Sequence, residues 1–152
     1  MNPKHLDAMV WNICNVYNYP FPKVLKLTKR LRTSMGSTIC GASHIELNEW
    51  FLLHNKKKVV EALLKHELCH TRHCNHNKEF DQAVRIMGSA MWLEDLFDDI
   101  VYPAKYVYKC PGCNGIRFAN RKYKEDKSCV VCGGKDFNKK FKLKLVQEPK
   151  SQ

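Results

Sequence analysis

The run His66-Glu67-Leu68-Cys69-His70 fits the pattern H-E-x-x-H. On a helix, residues four apart are neighbours, with Cβ atoms about 5–6 Å apart, so both imidazoles can reach one metal ion from one face. Glu67 projects close by without being forced to ligate. It can take a proton from a metal-activated water and later deliver it to a leaving amine. Zinc suits that task because it lowers the pKa of bound water to near 7 and polarises a scissile carbonyl. Two surface histidines on an amphipathic helix would give the same five letters. The apolar stretch Val59, Val60, Leu63 and Leu64 argues otherwise: it puts this helix in the core, where charge-capable residues need a reason.

A catalytic zinc takes three protein ligands and keeps one position open for water. The candidates for the third are His73, His76, Glu79 and Asp81. His73 lies on the stripe of His66 and His70, but in a regular helix it sits a further turn along, at about 1.5 Å of rise per residue. His76 follows the turn-favouring Asn75 and can fold back. Its spacing from His70 equals that of the metzincin pattern H-E-x-x-H-x-x-G-x-x-H, with His73 in place of the glycine. His76 is therefore preferred, ahead of Glu79 and then His73.

A second constellation lies further on. Cys110-Pro111-Gly112-Cys113 and Cys129-Val130-Val131-Cys132 are separated by 15 residues. This is the spacing of a four-cysteine zinc site, in which four thiolates close a tetrahedron and leave no open position, so this metal is expected to be structural. A redox dithiol is the competitor, and two pairs at this spacing disfavour it. Bound zinc would supply folding energy that so small a module cannot get from burial.

The other cysteines are Cys14, Cys40, Cys69 and Cys74. For Cys14 and Cys40 the expected role is that of small buried hydrophobes. No run approaches a membrane span, and residues 1–7 lack the apolar core of a signal peptide, so a cytoplasmic, thiol-reducing setting without membrane contact is expected. The net charge of +11 is uneven: residues 102–152 hold 13 Lys/Arg against 4 Asp/Glu. That surplus suits a polyanion such as DNA, with the lysines rather than the aromatics as the contacts; a merely solubilising surface explains it equally well.

The positioning elements follow from pattern. Asn2 and Pro3 open a helix over 3–18, which Pro20 and Pro22 end. A strand is expected over 23–31, and two shorter ones near Thr38–Cys40 and His44–Leu47, joined at Gly41-Ala42-Ser43. The strand near His44–Leu47 could offer an edge to an extended substrate. Asn48–Asn55 reads as a turn or short helix. The motif helix is expected from Lys56 to Cys74. Another helix carries Phe80, Ala83, Val84 and Met87 and stops at Gly88. A last one, capped by Ser89, carries Trp92, Leu93, Leu96, Phe97 and Ile100. Beyond Pro103, short strands such as Phe141–Leu145 are expected.

The runs Ile45-Glu46-Leu47-Asn48, Val60 through His70, and His76-Asn77-Lys78-Glu79-Phe80 with Gly88 resemble the SprT-like zinc metalloproteases. The segment from Tyr108 to Gly134, with its two cysteine pairs, looks like the zinc ribbon of bacterial SprT-like proteins. Together they cover most of the chain. The resemblance implies His66, His70 and His76 as ligands, Glu67 as catalytic residue, and protein attached to DNA as a substrate class. The family's His-Gly-x-x-Phe/Trp run lacks its glycine here.

The expected architecture is α+β: a zincin-like helical domain with a small sheet over 1–101, then a zinc ribbon over 102–152. The expected function is a zinc peptidase acting on protein or peptide, with one catalytic and one structural Zn2+. Two rivals remain. One is a nucleic-acid-binding protein whose H-E-x-x-H metal is structural, closed by Glu79 or Asp81. The other is a metal-dependent hydrolase of something other than protein.

Overall fold

The computed structural model describes residues 1–31, 34–88, 99–102 and 104–149. They form two compact units, one comprising Met1–Leu31 and Met35–Val101, the other built from the chain beyond Val101. No helix among the described residues is long and apolar enough to cross a membrane.

The first unit opens as its composition dictates. The Asn2 side chain accepts from the Lys4 amide at 3.0 Å, and Pro3 starts a 3-10 turn that runs into α1, Leu6–Tyr17. Leu6, Met9, Val10, Ile13 and Cys14 are buried along one face. Asn18, at φ 57°, ends the helix in the left-handed region, ahead of the prolines.

Three strands follow: β1 Val24–Thr28, β2 Gly36–Ile39 and β3 His44–Asn48. Their order is β1-β3-β2, with β1 parallel and β2 antiparallel to β3. The tight β2–β3 turn is made by Gly41 at φ 83° and Ser43 at φ 51°. The strand at His44–Leu47 is therefore the middle of the sheet and not the edge expected of it. Both its sides are spent on ladder bonds, and β1 and β2 are the edges. Glu46, although only 7% exposed, is neutralised by Arg30 at 2.6 Å and Lys26 at 3.0 Å, with the His44 ring nitrogen 3.1 Å from its carboxylate. Asn48 ends β3 and caps α2, Glu49–His54, accepting from the Phe51 amide at 3.0 Å.

The motif helix is α3, Lys57–His70. Val59, Val60, Leu63, Leu64 and Leu68 are buried, as its apolar periodicity requires. It stops four residues before the expected end at Cys74, because the hydroxyl (2.6 Å) and amide (3.0 Å) of Thr71 both close on the Leu68 carbonyl. Next comes α4, Lys78–Ile86, capped by Asn77 with a 3.0 Å bond from the Phe80 amide, and followed by Gly88 at φ 68°. The helix expected from Ser89 through Trp92, Leu93, Leu96 and Phe97 lies outside the described residues, as does Pro103; Ile100 is buried.

Cys40 corrects its expectation. It is half-buried and forms a disulfide with Cys74, Cα to Cα 5.4 Å, because the end of β2 runs beside the loop that leaves α3. Cys14 and Cys69 are buried free thiols.

The second unit is a three-stranded antiparallel sheet, ordered β5-β4-β6, from β4 Tyr106–Lys109, β5 Ile116–Ala119 and β6 Lys144–Gln147. A one-turn helix α5, Val130–Gly133, carries the second cysteine pair. The last strand starts at Lys144 rather than Phe141, since Lys139–Phe141 is a 3-10 turn capped by Asn138. Phe118 and Tyr108 are buried, and Tyr108 stacks on Tyr123 with centroids 4.3 Å apart. These aromatics serve as core, while Lys139, Lys140, Lys142 and Lys144 are exposed.

Candidate metal centres

The register of α3 places His66 and His70 one turn apart on the buried side, and the loop after Thr71 returns His76 to meet them. The Nε2 of His70 lies 3.1 Å from that of His66 and 2.9 Å from that of His76. One ligand atom from each of the three falls within 4.8 Å of the others. Nitrogens sharing a tetrahedral zinc at about 2.0–2.1 Å stand about 3.3 Å apart, so this donor set fits the ion. Phe80, buried on α4, backs all three rings, with centroids at 4.9 Å from His66, 4.4 Å from His70 and 4.8 Å from His76.

Electrostatics favour neutral rings with free lone pairs. Burial, then His70 and His76, push His66 well below the ordinary histidine value. Burial also lowers His70. The Nδ1–H of His70 donates to the His73 carbonyl at 2.9 Å, which fixes the tautomer and leaves Nε2 as the lone-pair nitrogen. His73 thus takes part through its backbone, and its ring is not in the cluster. Glu79 is exposed, and neither it nor Asp81 belongs to the cluster.

Glu67, next to His66 on α3, lies where that helix meets β2. Its side chain is buried, and burial pushes the carboxyl up to about 7. A hydrogen bond from the Thr38 hydroxyl to Oε2, at 2.5 Å, pulls in the opposite direction. Gly36, two residues before Thr38, approaches the same carboxylate closely. Neither residue carries a motif, so nothing in the local sequence marks them.

In the second unit Cys110, Cys113, Cys129 and Cys132 converge. The Sγ atoms of Cys110 and Cys132 are 3.8 Å apart, as are those of Cys113 and Cys129. Sulfurs on one zinc at about 2.3 Å stand about 3.8 Å apart in a tetrahedron, so these also fit. Burial, reinforced by the neighbouring sulfurs, pushes the Cys113 thiol up; four thiolates so close need a cation among them. Gly112 is required here, since a Cβ on it would stand 2.8 Å from the Phe141 ring.

An H-E-x-x-H helix in a small α+β unit with a third histidine folded back is the arrangement of a metallopeptidase domain. The chain belongs to the YgjP-like family, whose metallopeptidase-domain model matches residues 4–90. It is similar to the "Protein SprT-like" of Bacillus cereus strain ATCC 10987, 25% identical over 146 residues, covering 89% of this chain and 95% of that one. The protein of the same name from Geobacillus kaustophilus HTA426 is 28% identical over 142 residues, covering 88% and 94%. That of Bacillus subtilis 168 is 24% identical over 144 residues, covering 89% and 96%. No solved structure matches. The SprT-like resemblance read from the motifs is borne out.

Proposed function

We propose that this chain is a zinc-dependent peptidase whose peptidase domain spans 1–101 and whose zinc ribbon spans 102–152. His66, His70 and His76 hold the catalytic ion, and Cys110, Cys113, Cys129 and Cys132 hold a structural one. The observation that carries the proposal is three imidazole nitrogens converging within 4.8 Å, two of them from the helix that also bears a buried carboxylate. When bound, zinc supplies a water of lowered pKa and an electrophile for the peptide carbonyl. Glu67 takes the proton of the attacking water and returns it to the leaving nitrogen. Burial raises that carboxyl above its ordinary value in the metal-free chain. The exposed lysines of the second unit are the proposed contact with DNA, which makes DNA-associated protein the substrate class.

Glu67→Gln tests the assignment. Two zinc ions per chain should remain, while cleavage of a denatured protein falls by about 10²–10⁴-fold. Full activity in that variant removes Glu67 as general base. Running the wild type with and without duplex DNA tests the substrate class, since unchanged rates on a DNA-binding substrate would remove it.

A further inference from the structure

Two alternate positions of β2 face Glu67. At Gly36 a Cβ would lie 3.0 Å from the Glu67 Oε1 and 3.2 Å from its Cδ and Cγ, so a residue without a side chain is what lets the carboxylate occupy its place. At Thr38 the hydroxyl stands 2.5 Å from Oε2 and 3.2 Å from the Glu67 carbonyl oxygen. A hydroxyl has one proton to give, and the shorter contact takes it. Residues two apart on a strand project to the same face, so Gly36 and Thr38 bracket one carboxylate from one side. Threonine is stiff about its first side-chain torsion, so its oxygen is presented at a fixed point.

We infer that Thr38 is a positioning residue for Glu67. The hydroxyl selects the rotamer in which the carboxylate meets the attacking water, and the bare Gly36 backbone leaves room for that rotamer. The inference rests on Glu67 acting as the base. A glutamate side chain has three torsions, and a misplacement of about 1 Å in a reacting group lowers rates by about 10²-fold. A fixed hydroxyl on a strand removes that freedom without entering the cluster of imidazoles.

The test uses the full-length, zinc-loaded protein. Thr38→Val keeps shape and removes the hydroxyl; Thr38→Ser keeps the hydroxyl. Thr38→Val should lower kcat by about 10–100-fold with KM within about twofold, and Thr38→Ser should recover most of the loss. In the Glu67→Gln background Thr38→Val should add nothing, because the residue it positions is no longer a base. A crystal structure of metal-free Thr38→Val should show Glu67 in a new rotamer with the three histidine rings unmoved. If Thr38→Val does not fold, Gly36→Ala stands in: its new Cβ displaces the carboxylate and should lower kcat about tenfold. Wild-type kcat in Thr38→Val, or in Gly36→Ala where that variant is needed, overturns the inference, and so does an unmoved Glu67 rotamer. Activity in Glu67→Gln alone would instead overturn the role of Glu67 itself, which keeps the two failures distinct.

Discussion

The two metal-ready clusters are built on opposite principles. Two of the histidines sit on a helix inside a real core and the third on the loop that follows it: Phe51, Phe80, Leu47, Leu52, Leu64, Leu68 and Met87 of that unit are all nearly fully buried. The four cysteines sit on turns of a unit whose buried apolar side chains are few, chiefly Val107, Tyr108, Ile116 and Phe118. In the first unit packing creates the site, and any metal arrives at a finished pocket. In the second the sulfurs are themselves part of the interior, and a bound cation would be what lets them converge as thiolates. Two clusters that fit the same ion therefore stand in different relations to the fold.

The strongest way to break that contrast is to remove metal. Chelation should unfold the second unit and spare the first, because apparent zinc-binding energies of about 10–16 kcal/mol in small four-ligand modules are folding energy. Hydrogen exchange on the full chain should show residues 104–149 losing protection while α1 and α3 keep theirs. Equal loss in both units would abolish the distinction. A smaller effect comes from the opposite direction. Phe80→Ala removes the ring behind all three histidines and should destabilise the first unit by about 3–5 kcal/mol in urea. Zinc content should fall from two toward one per chain, with the ribbon's ion retained.

The smallest effect concerns acid. The Arg30 guanidinium, followed by the Lys26 ammonium, holds Glu46 down at about 2, below its ordinary 4.5. A lowered carboxyl stabilises the folded state fully above about 4.5, and that contribution is lost as the pH falls from there toward 2. Its cationic partners are solvent-exposed, so the effect is modest. The urea midpoint of wild type should drop more steeply across that window than that of Glu46→Gln. Parallel slopes would show that the ion pairs do nothing for the first unit.

Both clusters were legible as residues because ligand spacing is a local property: His66 to His70 and the two Cys-x-x-Cys pairs are short-range patterns. The helices were legible through Asn2, Asn48 and Gly88, whose capping and turning chemistry is also local. What the chain did not disclose is lateral. Periodicity states which face of β3 is buried but not that β3 has strands on both sides. Nothing near Thr38 announces Glu67, which is 29 residues away. The Cys40–Cys74 bridge depends on the end of β2 passing the loop after α3. The end of α3 at His70 turned on one hydroxyl, that of Thr71, which carries no strong stop signal.

That bridge has a practical side. The ribbon can take its ion only as free thiolates, whereas Cys40 and Cys74 are joined only when oxidised. A buffer rich in dithiothreitol would keep the four ribbon cysteines reduced and cut the tether two residues before His76. Storage in air would do the reverse. Loading zinc first and withdrawing the reductant afterwards is the order of handling that serves both.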